Sequence, residues 1–370
     1  MHITAVSIFG IRLPLKIPFV VSYESYDVMP SLIVKVETNT GLYGYGEAVP
    51  DEHVTGETWE GTYEVIRHTL APAVLGKNPF DIEKIHATMD SCIYSAPAAK
   101  AAIDIACYDL MGKAVGQPVY NLIGGQYRQR LAVAKVLSIQ EPHEMAEEAT
   151  AALASGYRVL KLKVGTDKVK DIARIKAVRQ AVGTDVPLRV DANQGWENSA
   201  DALYALARIK ACDIAWIEQP VAADDLDALR EVKQQTTVPV MVDEGVRGSR
   251  DMREVIAKRA ADKVNIKLMK CGGIFRAVQL THQAEMAGMT CQIGSMVESS
   301  IGSAAGLHVA TAKKNIRSSE LTGPLLFSRD VGNLTYELPY VQMREKPGLG
   351  VDVDKGVLDE LTVMRATVGS

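Results

Sequence analysis

Apolar and polar positions alternate over residues 2–9, 31–38 and 42–48, the period of half-buried strands, and Asn39-Thr40-Gly41 supplies a hairpin turn between the last two. Three antiparallel strands are therefore predicted near the N-terminus. Two stretches of the same region, 22–27 and 50–59, are polar and do not alternate, so they are predicted to be mobile loops of the kind that covers a ligand. Over 98–115 the period becomes helical: Ile103, Ala106, Cys107, Leu110 and Ala114 fall on one stripe, and Gly116 and Pro118 stop the helix. Gly124-Gly125 then marks a domain boundary.

From Arg130 onward the pattern repeats, with short apolar runs separated by amphipathic stretches. Strand cores are predicted near 131–138, 158–163, 187–191, 214–218, 239–243, 264–267, 290–294 and 316–321, with helices such as 167–182, 200–210, 225–235 and 274–287 between them. Eight strands joined by helical crossovers give an α/β chain with a barrel of the TIM type. An open doubly wound sheet would need a glycine-rich turn after its first strand, where Ser138-Ile139-Gln140-Glu141-Pro142 stands instead. No ninth unit follows Gly323, and the tail is predicted to return to the N-terminal region and pin it over one barrel mouth. The expected division is an α+β capping domain over 1–125, a barrel over 126–322, and a segment over 323–370 that completes the cap.

Composition narrows this little but usefully. A chain of 370 residues has room for a barrel-sized core and a smaller domain. Its net charge of -4, with no basic stripe, argues against nucleic acid or an anionic membrane as partner. Five cysteines, odd in number and without a CxxC spacing, read as reduced thiols. With no signal segment ahead of the alternating run at His2 and no apolar stretch of spanning length, a cytoplasmic protein is expected. We also expect a homo-oligomer acting on a small molecule.

The chemistry collects at the C-terminal ends of the predicted strands, which form the working mouth of such a barrel. The third strand ends at Asp191, the fourth at Glu218 and the fifth at Asp243. Each alone reads as a helix N-cap. Three in register would repel one another unless a cation holds them, and an all-oxygen set suits Mg2+. Lysines flank the set. Lys161 and Lys163 share one face of the second strand by alternation, and Lys267 ends the sixth, so two amines approach the metal from opposite sides. A lysine face can belong to a solvated edge strand. Beside a divalent cation and a second lysine, however, the ammonium is disfavoured and the amine becomes a base, able to take a proton from one face of a carbon while the other lysine returns it. Asn193 and Glu244 are candidates for orienting the ligands, and Ser295, Glu298, Glu320 and Thr322 for touching a small acidic or amide substrate; each can equally be a satisfied loop residue.

These motifs resemble the enolase superfamily, in its muconate-lactonizing-enzyme subgroup, over essentially the whole chain. Lys161-Leu162-Lys163, Asp191-Ala192-Asn193-Gln194-Gly195-Trp196, Ile217-Glu218-Gln219-Pro220, Val242-Asp243-Glu244-Gly245 and the run from Asn265 to Gly273 stand in the family's order. The resemblance implies a capping domain over a modified (β/α)7β barrel, Mg2+ on Asp191, Glu218 and Asp243, and abstraction of a proton α to a carboxylate; sites of the enolase type set a Lys or His base beside Mg2+ for this chemistry. Within the subgroup the chain is similar to the racemases of N-succinylamino acids. Ser22-Tyr23, Tyr26, Asp51, the run from His53 to Glu57, the run from Ala101 to Cys107 and the run from Gly294 to Ser300 carry that likeness. It implies that Asp51 and Glu52 face the substrate side chain, where two acids suit a guanidinium or ammonium, with Tyr26 nearby and Glu24 adding to the field if it points inward. Dipeptide epimerases of the superfamily carry Asp-x-Asp where this chain has Glu320-Leu321-Thr322. Muconate cycloisomerases share the Glu-x-x-Gly-Pro of Glu320 to Pro324, which keeps cycloisomerisation and o-succinylbenzoate synthesis open.

Overall fold

The structure, a computed structural model, describes residues 1–370 apart from Ser22 and Tyr23. A four-stranded antiparallel sheet forms the cap, in the order Thr362–Gly369, Ile3–Val20, Ser25–Thr38, Tyr43–Ala48. Its first two strands are longer than the alternation suggested. Residues 25–27, expected in a loop, are instead paired strand, because Phe19 and Val20 find partners in Tyr26 and Ser25 across the hairpin. The second expected loop, after Ala48, lacks regular structure up to the helix that begins at Trp59.

The helix Pro97–Val115 lies across Tyr43–Ala48. Gly44 and Gly46 permit this approach: a Cβ on either would sit 2.2 Å or 1.9 Å from the carbonyl oxygens of Ala106 and Ala102. Every residue from Pro97 to Gly112 is buried as a result, rather than the single stripe the periodicity indicated. Gly116, in the left-handed region at φ 67°, ends the helix.

Eight parallel strands follow in sequence order: Lys135–Leu137, Leu160–Lys163, Leu188–Asp191, Trp216–Glu218, Val240–Val242, Lys263–Ile266, Thr290–Ile293 and Ile316–Ser319. Seven helices connect them: Pro142–Ala154, Lys168–Val182, Ser199–Arg208, Leu226–Gln235, Ser249–Lys258, Ile274–Met286 and Ser300–Ala312. The sheet curls until its edges meet in one bridge, between Val133 and Ser319. The first strand is shorter than the expected run over 131–138. Arg130–Ala132 splits off and pairs antiparallel with Tyr340–Gln342, which in turn pairs with Thr335–Glu337. So the tail braces the entrance to the barrel before Thr362–Gly369 joins the cap beside Ile3–Val20. Cys92 is exposed, the other four cysteines are buried, and all five are free thiols. Among the described residues no helix is long and apolar enough to cross a membrane.

Two buried carboxylates of the cap sit on helix N-termini of the barrel. Glu47 accepts from Ser299 N at 2.9 Å, Ser299 Oγ at 2.6 Å and Gly302 N at 2.7 Å; Asp104 accepts from Ile274 N at 2.5 Å. They seat the cap on the seventh and sixth barrel helices, directly over the C-terminal ends of the strands.

Candidate active site

Strand alternation turns Lys161, Lys163, Arg189, Asp191, Trp216, Glu218, Asn265 and Gln292 into the barrel, so its interior is polar along much of its length. At the C-terminal mouth Asp191, Glu218 and Asp243 are fully buried, and one carboxylate oxygen from each lies within 4.8 Å of the others. None is a helix cap. The helices that follow begin behind Asn198, Asp225 and Gly248, and the first two of those caps accept from Asp201 N and Ala228 N.

The lysines are distributed around this cluster. Lys161 Nζ lies 2.8 Å from Asp191 Oδ2, 2.9 Å from Glu218 Oε1 and 2.6 Å from Glu320 Oε1. Lys163 Nζ donates to Asp191 Oδ2 and Asn193 Oδ1, each at 2.8 Å. From the other side, Lys267 Nζ is 2.8 Å from Asp243 Oδ2. Asn193 Nδ2 donates to Glu244 Oε1 at 2.9 Å, so the two candidate orienting residues hold each other beside the cluster.

Burial raises the carboxyl pKa of all three acids, but the outcome differs by neighbour. At Asp191 burial is outweighed by Lys161 and Lys163, and at Asp243 by Lys267 and Lys270, so both are held well below the usual carboxylate range. Glu218, pushed up by burial and then by Asp191, goes the other way. Its Oε2 is buried with no hydrogen-bond partner among the described residues. A buried carboxylate oxygen without a donor, inside a ring of two further carboxylates, fits a hard divalent cation with oxygen ligands. The lysines depart from the sequence expectation. Burial disfavours the ammonium of Lys161 and Lys267, yet the carboxylates outweigh it and hold both pKa values above the ordinary lysine value. The expected depression assumed a cation among the carboxylates; where lysines are their only positive partners, the sign reverses.

Above the cluster lies a cavity with Lys163, Lys267 and Asn193 in its wall. Tyr26, Asp51, Glu52, Ser295, Glu320 and Thr322 also line it, joined by apolar groups such as Phe19, Met29, Trp59 and Leu326. Asp51 is not a solvated loop residue: it is buried, takes a hydrogen bond from Tyr26 Oη at 2.9 Å, and accepts from His53 N and Val54 N at 2.8 and 2.9 Å. Glu52 is exposed. Two candidates do not reach the wall. Glu24 is exposed and accepts from the adjacent Ser25 N, while Glu298 is buried in its own turn, accepting from Ser295 Oγ and Met296 N. Ser22 and Tyr23 lie outside the described residues. Glu320 is occupied from below, by Lys161 and by Gln292 Nε2 at 2.7 Å.

Several contributors carry no role in the sequence reading. Lys270 Nζ is 2.5 Å from Asp243 Oδ1, and Asn265 Nδ2 donates to Glu218 Oε1 at 2.8 Å. Gln219 Oε1 accepts from Asp243 N and Gly245 N. Gln219, Asn193, Gln194 and Val297 all have positive φ, 35°, 42°, 68° and 65°, and the β-branched Val297 is the most unusual of these. Strained backbone thus gathers around this mouth. Lys270 had a readable signal, one helical turn after Lys267; the others had none short of the folded chain.

Comparison with known proteins agrees with this geometry. Residues 3–124 match the family described as mandelate racemase / muconate lactonizing enzyme, N-terminal domain, and residues 144–357 match the family described as enolase C-terminal domain-like. The N-succinyl-L-Arg/Lys racemase of Bacillus cereus is 57% identical, with 100% of each chain covered, and its crystal structure superposes with a TM-score of 0.99. A hydrophobic dipeptide epimerase of Enterococcus faecalis is 42% identical over 95% of this chain and 99% of its own. The crystal structure of the Enterococcus faecalis dipeptide epimerase with Mg and the dipeptide L-Leu-L-Tyr gives a TM-score of 0.92. Muconate cycloisomerase 1 of Rhodococcus opacus is 33% identical over 96% of each chain.

Proposed function

This chain belongs to the mandelate racemase / muconate lactonizing enzyme family of the enolase superfamily, and from that premise we propose that it is an Mg2+-dependent racemase of N-succinylated amino acids with cationic side chains, N-succinyl-Arg and N-succinyl-Lys. The observation that carries the reaction is the placement of two lysines in one cavity wall, each tied to a different carboxylate of the same cluster: Lys163 to Asp191 and Lys267 to Asp243. The substrate class rests on the Bacillus cereus racemase and on Asp51 and Glu52 in the cavity wall.

Asp191, Glu218 and Asp243 would hold Mg2+, which would supply a Lewis acid for the substrate carboxylate and a positive charge that lowers the proton affinity of the neighbouring lysines. Lys163 and Lys267 do the proton work. The neutral amine on one face removes the α-proton, and the ammonium on the other face delivers one, so the configuration inverts. Lys161 remains charged between three carboxylates and fixes their positions. The cap excludes water, with Tyr26 orienting Asp51 toward the substrate side chain. The homo-oligomer expected of the chain is part of the same proposal, read by light scattering of the purified protein.

The test is a screen in D2O with Mg2+, following α-proton exchange by NMR for N-succinyl-Arg, N-succinyl-Lys, N-acetyl amino acids and dipeptides. Exchange and racemisation led by the N-succinyl cationic substrates is expected. Exchange confined to dipeptides would transfer the chain to the epimerases.

A further inference from the structure

The opposite mouth of the barrel poses a separate electrostatic problem. Trp216 begins the fourth strand, Lys263 the sixth and Thr290 the seventh, while Arg189 and Arg317 are second in the third and eighth. The side chains of Arg189, Trp216, Lys263 and Thr290 meet where the strands start. The Arg189 guanidinium lies 4.6 Å and Lys263 Nζ 5.1 Å from the centre of the Trp216 ring. Burial lowers the Lys263 pKa, and Arg317 and then Arg189 lower it further against a smaller opposing pull from Asp262, which places both arginines within the field of Lys263.

Among the described residues Arg189, Lys263 and Arg317 form no ion pair. Arg189 Nη1 has only two long contacts, to Gln292 Oε1 at 3.2 Å and Ser319 O at 3.3 Å, and Lys263 Nζ donates to Thr290 Oγ1 at 3.1 Å. Asp262, the acid nearest to Lys263 in sequence, is already engaged, with Lys233 at 3.1 Å and with Val240 N at 2.9 Å. Glu320 and Glu218 act on Arg189 only from deeper in the barrel. The Trp216 indole is the second, independent observation. The residue is 7% exposed, and its Nε1 is buried without a hydrogen-bond partner among the described residues. Stacking of cations on the ring accounts for the packing. It does not satisfy the indole N–H, nor does it relieve the repulsion between like charges.

We propose that the N-terminal mouth of the barrel is a binding site for a small oxyanion, a phosphate or a carboxylate, held by Trp216 Nε1, Arg189, Lys263 and Arg317. The donors are of the kind that recognise such a group, a guanidinium fork, an ammonium and a neutral N–H. A groove lined by Lys263, Thr290, Lys233, Thr236 and the carboxylate of Asp262 opens beside Lys263. This site is independent of the reaction at the other mouth.

The three tryptophans make the test direct. Trp59 Nε1 donates to Ser31 O at 2.9 Å and Trp196 Nε1 to Asp171 Oδ2 at 3.1 Å, so only the Trp216 indole awaits a partner. In the 15N-labelled, Mg2+-loaded protein, Trp216→Phe assigns its indole N–H signal. Inorganic phosphate and succinate are then titrated separately against chloride at matched ionic strength. The Trp216 signal should move saturably with phosphate, with succinate or with both, which also names the ligand, while the Trp196 signal stays in place; Trp59, in the active-site cavity, is not used as a reference. Lys263→Gln with Arg317→Gln should weaken that binding roughly tenfold or more. Arg317→Gln alone, at an exposed position, should weaken it in the same direction should the double variant fold poorly. No saturable movement, the same movement in chloride, or equal binding by the variants would overturn the proposal.

Discussion

The two mouths of the barrel gather opposite charges and resolve them differently. At the C-terminal mouth Asp191 and Asp243 each meet lysine ammonium groups at 2.5 to 2.8 Å, and among the described residues the atoms left without a donor are acceptors, Glu218 Oε2 with Glu244 Oε2 and Asn265 Oδ1. At the N-terminal mouth Arg189, Lys263 and Arg317 meet no carboxylate, and the orphan is a donor, Trp216 Nε1. A barrel interior built from alternate residues of short strands cannot spread such charges apart, so convergence is tolerable only where something compensates. Near the cap the compensation is visible as lysine ammonium groups bonded to the carboxylates. At the far end Glu320, Glu218 and Asp262 act only from a distance, and the proposed oxyanion would supply the rest.

The comparison predicts that the consequences of substitution fall steeply from one mouth to the other. The largest effect is expected from Lys163→Ala or Lys267→Ala, each of which should slow racemisation by about 10²–10⁴-fold or more, as steady-state polarimetry would show. Next comes Asp243→Asn. Calorimetric titration with Mg2+ should show affinity falling beyond the roughly 10–100-fold typical of losing an outer hydrogen-bond partner, because a ligand and the anchor of Lys267 and Lys270 go together. Asp51→Ala with Glu52→Ala should lower kcat/KM for N-succinyl-Arg by one to two powers of ten, from about 1.5–3 kcal/mol of a partly desolvated charge-assisted contact, and leave N-succinyl-Phe little changed. An unaltered Arg-to-Phe preference would remove the acidic wall from the account while leaving the barrel residues in place.

Smaller effects concern how the cap is seated. Burial pushes the Glu47 carboxyl up to about 7, against the hydrogen bonds from Ser299 and Gly302 that lower it; the nearby Glu298 adds a further rise. A carboxyl raised above its unfolded value contributes stability that is complete below the ordinary 4.5 and is lost as pH climbs through about 7. Relative to Glu47→Gln, the wild-type protein should therefore lose stability across that window, by at most about 1.4 kcal/mol per pH unit, in urea unfolding at a series of pH values. A parallel pH dependence in the two proteins would mean that Glu47 ionises normally. Smallest of all, Arg317→Gln should leave kcat and KM for N-succinyl-Arg within about twofold of wild type, since it is exposed at the mouth remote from the lysines.

The same contrast explains what could be read before folding. Asp191, Glu218 and Asp243 were legible because each terminates a short apolar run, and Lys161 with Lys163 because strand period alone puts them on one face. Local pattern carries no information about distant pairing. The break between Arg130–Ala132 and Lys135–Leu137 depends on Tyr340–Gln342, more than 200 residues away, and 131–138 is continuous in hydropathy. Burial of Asp51 depends on Tyr26, and burial of every face of Pro97–Val115 depends on Gly44 and Gly46 in another strand. The N-terminal mouth was silent for a related reason. Arg189, Trp216, Lys263 and Arg317 are scattered singly through four strands, and only closure of the sheet brings them together.

The central claim is that Lys163 and Lys267 serve opposite faces of one α-carbon. It is tested most directly by incubating each enantiomer of N-succinyl-Arg separately in D2O with the Mg2+-loaded wild type, Lys163→Ala and Lys267→Ala, and following the α-proton by NMR. The account predicts that wild type exchanges and racemises both enantiomers, that neither variant racemises, and that exchange retained by a variant is confined to one enantiomer, opposite for the two. Racemisation near the wild-type rate by both variants would contradict it.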